Sequence, residues 1–560
     1  MLGFIDQDFG QTMSDEEIVR FLLVKLPLEQ KIGQLIWLPF AGLHTPRPEW
    51  TFDKLLERIE RFHVGGFVMY GGDVFETPAA INYLQKNSRL PLLIASDVER
   101  GCGQQVTSAT VLPAAMAVGA TGSVENAALA GRITGNEART LGITVVLAPV
   151  ADVNTAPGNP IVNTRAFGDD TEFVAAHTAS FVSGCQREDV MAVAKHFPGH
   201  GATTLDSHLE MPTLDLSLSE LERVHIPPFA AAVRMGVKAV MVAHLRCPAL
   251  DPVFPTSLSH ATITDLLRKK LGFGGLVMTD ALMMGATARE YGDRRAAVLA
   301  LTAGADVILY PEEPEAAFDA VLSAVKSGNI RTETLDSAVE RVIRAKVELG
   351  LFRKRTTHVE DVESCLNNPE HLAGAKKIAE ESMTPVGRLA EFLPLKPPVA
   401  VIVLGNPPQP DGIRAFLDEL KAGGVDGSVS GGIDLVELRA QTQALSGGGA
   451  LPNGFRTVSV DSVGPDATVI CAVFKPVRAF SGNITLGAGE VEEARALMAK
   501  ARRSCVVSFG SPYVVADFPE STAALCAYSD CEVSQRAAAR VILGRLAPRG
   551  KLPVKMPHRA

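Results

Sequence analysis

The sequence predicts an α/β protein, a (β/α)8 TIM-type barrel followed by a smaller open α/β sandwich domain with a mostly parallel sheet. Eight short apolar, β-branched runs recur with helical stretches between them over about three hundred residues, the pattern of strands buried on both faces. Polar residues gather directly after those runs, where a barrel carries its reactive groups. Beyond a charged, Pro-bearing stretch, four more buried-type runs alternate with helical patterns, as in an open parallel sheet.

In chain order, residues 1–13 form an N-terminal extension, and Ser14-Asp15-Glu16-Glu17 starts a helix expected to run through Gln30. The barrel is expected over 14–352, with strands at 33–40, 64–70, 92–96, 143–149, 190–194, 239–244, 276–279 and 307–310. Residues 353–395 read as a linker carrying one amphipathic helix near 371–382 and no strand. The second domain, 396–560, is expected to place strands at 399–405, 469–474, 505–509 and 523–528, with helices at 491–501 and 533–545. It carries no catalytic constellation, so packing against the barrel or lending a loop to its rim is its expected role.

At 560 residues the chain exceeds one ordinary core, which agrees with two domains. A net charge of −9 without a Lys/Arg-rich run argues against nucleic acid or an anionic membrane as partner and favours a small neutral or acidic substrate. Acids occupy the first residues, Met1 to Asp8, where an export signal has a basic segment, and no apolar run has the length of a membrane span, so a cytoplasmic location is expected. Eight scattered cysteines without a C-x-x-C pair predict neither disulfides nor structural zinc. The glycine stretches at 431–432 and 447–449 lie in no nucleotide-binding frame, so no cofactor is expected. Nothing in the sequence specifies an oligomeric state.

The densest chemistry lies in 194–212, A-K-H-F-P-G-H-G-A-T-T-L-D-S-H-L-E-M-P. Lys195, His196, His200, Asp206 and His208 fall around the breaks Pro198, Gly199 and Gly201, which turn the chain sharply at a strand's carboxyl end. Asp206 stands two residues before His208, close enough to orient and charge an imidazole that serves as general acid and base. Other strand ends add Asp97 and Glu99, Asp152 and Arg165, His244, and Asp280 directly after 276–279. Asp152 and His244 suit ion-paired barrel positions; Asp280 suits a reacting carboxylate. Two other chemistries use the same residues. One is a metal held by His196, His200, His208, His244 and Asp280, against which Lys195 would act; the other is a Schiff base on Lys195. A catalytically silent sugar-binding module is the non-enzymatic reading.

The motif Lys195-His196-Phe197-Pro198-Gly199-His200-Gly201 with Asp206-Ser207-His208 resembles the defining loop of the β-N-acetylglucosaminidase branch of glycoside hydrolase family 3. Residues 266–284 are similar to the family signature, and Gly510-Ser511-Pro512-Tyr513 with Gly550-Lys551-Leu552-Pro553-Val554 are similar to its second domain. The resemblance implies a retaining exo-β-N-acetylglucosaminidase acting on peptidoglycan-derived muropeptides or chitin oligomers, without metal or cofactor. It implies Asp280 as nucleophile and His208 as acid/base with Asp206 its partner. Asp97, Arg165, Lys195 and His196 would hold the sugar. Phosphorolysis of the same glycosides and β-glucosidase activity are alternatives within the family. Two departures from the family pattern stand out: Asp97-Val98-Glu99-Arg100-Gly101-Cys102-Gly103-Gln104-Gln105 replaces an Asp-x-Glu-Gly-Gly loop with its arginine, and Ala281 stands where many relatives have a second Asp.

Overall fold

The structure, a computed structural model, describes residues 12–41, 51–207, 209–407, 412–424, 433–436, 456–458, 465–477, 484–519 and 522–557. It divides into two compact units that interleave in sequence. The first comprises Met1–Val111, Ala127–Val153 and Thr171–Leu372; the second comprises Leu112–Asn126, Asn154–Asp170 and Ala373–Ala560.

In the first unit eight parallel strands follow one another around a barrel. They are β1 (Ile36–Ala41), β2 (Gly66–Tyr70), β3 (Leu93–Ser96), β4 (Val145–Val146), β5 (Met191–Phe197), β6 (Ala239–Val242), β7 (Leu276–Thr279) and β8 (Ile308–Leu309). Each neighbours the next, β1 pairs with β8, and a parallel bridge between Met278 and Val307 closes the ring. All six residues of β1 are buried, as expected of a strand with a packed interior on one face and helices on the other.

The first helix starts at a capping box in which Ser14 and Glu17 satisfy each other's backbone N–H groups. The single helix expected through Gln30 is instead two, Asp15–Lys25 and Leu28–Gln34. Pro27 has no N–H and forces Leu26 into extended backbone at φ −67°, ψ 127°, which ends the first helix.

The sheet of the second unit runs β12 (Arg456–Val458), β11 (Ile433–Val436), β10 (Val399–Gly405), β13 (Thr468–Phe474), β14 (Arg503–Ser508), β15 (Ala523–Cys526) and β9 (Thr384–Val386). All pairs are parallel except β9 with β15. Along β10 the side chains alternate between two apolar layers. Val399, Val401 and Val403 pack with Phe416, Leu420 and Ile542, while Ala400, Ile402 and Leu404 pack with Leu497 and Met498. Both faces are therefore covered by helices, which is why these strands read as unbroken apolar runs. The stretch expected as a strand-free linker supplies the helix Pro369–Ser382 and the edge strand β9, where Pro385 is tolerated because an edge needs fewer donors. β11 and β12 were also not anticipated, and the two glycine stretches lie outside the described residues. Among the described residues no helix is long and apolar enough to cross a membrane.

Candidate active site

The polar end of β5 organises the site. Pairing between β5 and β6 slips by one residue: Ala194 faces Val240 and Phe197 faces Val242, so Lys195 and His196 together oppose the single Met241. Such a bulge breaks the strict alternation of a strand and re-aims side chains, and here both Lys195 and His196 are buried. The strand extends beyond its expected end at Ala194, so these two residues belong to it rather than to the following loop.

Lys195 is 2% exposed, and its Nζ lies 2.7 Å from Asp97 Oδ1 and 2.7 Å from Glu99 Oε1. An ammonium so enclosed needs both carboxylates, and it fixes the loop after β3 against β5. Gln105, in the departed part of that loop, accepts from Gly71 N at 3.2 Å and donates to Asp97 O at 3.1 Å. Past β4 the backbone continues alongside β5, with Ala151 N donating to Lys195 O at 2.6 Å, and so delivers Asp152. Asp152 is wholly buried, and its Oδ2 accepts from His196 Nδ1 at 2.8 Å. Burial works to raise its pKa, but His196 and His200 outweigh burial and hold it below the usual carboxylate value.

His200 is buried with its Nδ1 2.7 Å from Thr203 Oγ1, and burial pushes its pKa down to about 4, against the opposing pull of Asp152. It is therefore neutral at physiological pH. Asp280 follows β7 and is only half-buried, with its N donating to Val242 O at 2.9 Å and its Oδ1 accepting from Ala281 N at 2.8 Å. Tyr70, at the end of β2, has its phenol pKa pushed up by burial and then by the charges of Asp97, Tyr310 and Asp280, so these groups share one electrostatic neighbourhood. Tyr70 and Tyr310 rings lie 6.4 Å apart.

Asp97, Lys195, His196 and Asp280 thus stand at the carboxyl ends of β3, β5 and β7. Asp206 is buried, and its backbone carbonyl accepts from Leu209 N and Glu210 N at 3.0 Å. His208 lies outside the described residues. Arg165 falls in the second unit, where its Nη1 donates to Ile161 O at 2.7 Å. His244 has both ring nitrogens engaged, with Ser257 Oγ at 2.6 Å and Ala281 O at 3.1 Å, as a satisfied core histidine does. Among the described residues no three His, Cys, Asp or Glu side chains gather as a metal-binding group. Sequence reasoning gave no role to Tyr70, Tyr310 or the Glu99 ion pair. The position of each at or just past a strand end was the available signal.

Residues 27–345 match the model of the glycosyl hydrolase family 3 N-terminal domain. The chain belongs to glycosyl hydrolase family 3. A beta-N-acetylglucosaminidase/beta-glucosidase of Cellulomonas fimi is 34% identical over 430 residues, 73% of this chain and 75% of that protein. Beta-hexosaminidase A of Pseudoalteromonas piscicida is 26% identical over 96% of this chain and 98% of its own. Among solved structures, a family 3 beta-N-acetylglucosaminidase from Paenibacillus sp. str. FPU-7 superposes with a TM-score of 0.79 at 30% identity, covering 95% of this chain and 99% of that one. The beta-glucoside phosphorylase BglX bound to 2FGlc superposes at 0.85 with 25% identity, covering 97% of each. This family 3 hydrolase therefore shares its whole two-unit architecture with enzymes that act on β-linked sugars.

Proposed function

We propose that this family 3 hydrolase is a retaining exo-β-N-acetylglucosaminidase that releases terminal β-linked GlcNAc from muropeptides or chitin oligomers. The observation that carries the reading is Asp280, a half-buried carboxylate at the end of β7 in the same electrostatic neighbourhood as Asp97 and Tyr70. In this reading Asp280 attacks the anomeric carbon while His208, charged and oriented by Asp206, protonates the departing oxygen. Water then resolves the glycosyl-enzyme, with His208 taking its proton. Ala281 N, 2.8 Å from Oδ1, orients the carboxylate. Asp97 and Lys195 offer acceptor and donor to sugar hydroxyls, with His196 beside them; a sugar-holding role for Arg165 rests on the family resemblance alone.

A specific observation favours phosphorolysis as a second reading: the β-glucoside phosphorylase aligns over nearly the full chain. A His acid/base does not repel an incoming phosphate as a carboxylate does. One experiment separates these. Hydrolysis of p-nitrophenyl β-GlcNAc is compared with that of the β-glucoside, with and without phosphate, and Asp280 is trapped with a fluorinated sugar and located by peptide mass analysis. Faster turnover of the β-glucoside overturns the substrate assignment. Production of the sugar 1-phosphate in place of free GlcNAc establishes phosphorolysis, and a label away from Asp280 overturns the nucleophile.

A further inference from the structure

The second unit carries a cleft of ≈ 410 Å³ at the amino-terminal ends of β14 and β15, and four arginines line it: Arg388, Arg495, Arg502 and Arg503. They arrive from three elements. Arg388 follows β9, Arg495 lies on the helix Ala488–Lys500, Arg502 precedes β14 and Arg503 opens it. Among the described residues of the lining the one carboxylate is that of Glu391. In a chain whose net charge is −9, four cations gathered round one acid are a local excess of positive charge, and a concave wall focuses it.

Two of the four are engaged by the protein itself. Arg503 Nη2 donates to Glu391 O at 2.7 Å and to Phe392 O, its Nη1 donates to Pro394 O at 3.4 Å, and its guanidinium carbon stands 5.1 Å from the centroid of the Phe392 ring. Arg495 donates to Asp517 O. Carbonyls and a ring orient these guanidinium groups but leave their charge unneutralised. Arg388 and Glu391 lie 3.9 Å apart with side chains 65% and 70% exposed, an ion pair worth little. Arg502 is exposed; its backbone N donates to Ala467 O at 3.1 Å, and among the described residues no hydrogen bond or ion pair engages its guanidinium. The cleft therefore offers two guanidinium forks with uncommitted donors, those of Arg388 and Arg502, beside a wall that Arg503 and Arg495 hold in shape.

We propose that this cleft binds a small polyanion, a ligand carrying at least two phosphate or carboxylate groups, on the unit in which the sequence shows no chemistry. A guanidinium presents a planar pair of N–H donors that meets an oxyanion edge to edge. The volume falls in the range of small-ligand clefts and exceeds what one phosphate fills, and arginines drawn from separate elements suit anionic groups some distance apart. The proposal does not rest on the glycosidase reading, because every residue it uses belongs to the second unit, whereas Asp97, Lys195 and Asp280 belong to the first.

Calorimetric titration of the full chain with pyrophosphate, citrate and inorganic phosphate tests it, at constant ionic strength because salt screens exposed charges. Pyrophosphate or citrate should bind about 10-fold more tightly than inorganic phosphate, and the tighter of the two tells phosphate chemistry from carboxylate. Arg388→Gln and Arg502→Gln should each weaken that binding about 10-fold, the loss of a charge-assisted hydrogen bond, and Arg502→Lys should fall between, since it keeps the charge and loses the fork. Glu391→Gln removes the one opposing charge and should tighten binding, a result that damage to the fold cannot produce. Lys54→Gln takes an equal charge from a helix of the first unit and should bind as wild type does. Binding left unchanged by Arg388→Gln and Arg502→Gln would mean an adventitious ion only, and equal weakening by Lys54→Gln would mean a response to net charge; either overturns the proposal. So does a failure of all three anions to bind at millimolar concentration, and a chain that ignores them yet binds polyglutamate would assign this face to an acidic polymer instead.

Discussion

Lys195 offers the sharpest test of how the site is held together. At 2.7 Å from each carboxylate and with an effective dielectric near 20, its gross attraction to either Asp97 or Glu99 is roughly 6 kcal/mol, most of which desolvation of the charges offsets. Removing the cation alone leaves two acids facing each other, and Lys195→Met is expected to destabilise the barrel by ~3–5 kcal/mol. The two partners differ in exposure, 9% for Glu99 and 29% for Asp97, so solvent relieves Asp97 far more than Glu99. A cycle of Lys195→Met with Glu99→Gln should therefore show a coupling of ~2–3 kcal/mol, and with Asp97→Asn about 1 kcal/mol. Urea unfolding followed by tryptophan fluorescence measures both, because Trp37 is wholly buried within β1 and reports on the barrel. If Lys195→Met and Glu99→Gln add to within about 0.5 kcal/mol, the lysine is not held as the distances indicate and the reasoning fails.

Two further outcomes concern groups away from the site. Lys346 is wholly buried with Gln34 Oε1 at 2.5 Å, and burial lowers its pKa to about 7, so the unfolded chain binds more protons than the native one between about pH 7 and 10.5. Stability should rise with pH across that window, and Lys346→Met should gain ~3 kcal/mol at pH 7, less as pH approaches 10; a pH-independent difference in urea midpoint would contradict this. Glu137, wholly buried, accepts from Thr110 N and Asn367 N at 3.0 Å, from Thr110 Oγ1 at 2.5 Å, and pairs with His371 Nδ1 at 2.9 Å. Glu137→Leu strands these donors and should cost about 3–5 kcal/mol, read by the same urea titration, and a loss under ~1 kcal/mol would show the cluster to be slack.

The barrel was legible because its strands are buried on both faces and so stand out as apolar runs, each found within a few residues of its place. The ends were harder. β4 and β8 keep only two residues each in the ladder, and β5 outran its expected stop because Lys195 and His196 are charged or polar yet buried. Hydropathy ends a strand at its first polar residue; an ion pair or a carboxylate waiting on the neighbouring loop, as Asp97, Glu99 and Asp152 do, lets it continue. The linker misread has the opposite cause. Thr384–Val386 is a three-residue edge strand containing a proline, with nothing in its own composition to mark it, and only β15 beside it makes it one. The place of Arg165 in the second unit could not be read either, because its segment is tied there by partners remote in sequence, such as Tyr513, which bonds Asn154 at 3.0 Å from 359 residues away.

Asp152 and His244 looked alike in the sequence, two polar residues after barrel strands that suited either structure or chemistry, and the structure separates them by what each one holds. His244 has both nitrogens engaged by Ser257 and Ala281, one of them the carbonyl of the residue after Asp280, so its effect on the site passes through the backbone that carries the carboxylate. Asp152 is equally enclosed, but what it holds is the Nδ1 of His196 and two backbone N–H groups at the polar end of β5. A buried polar residue held between a hydroxyl and a backbone carbonyl, as His244 is, stiffens the scaffold; one that grips a side chain at the strand end, as Asp152 does, also fixes how that side chain is oriented. The distinction is one of partners and not of residue type, which is why it is visible only once the strands have brought the loops together.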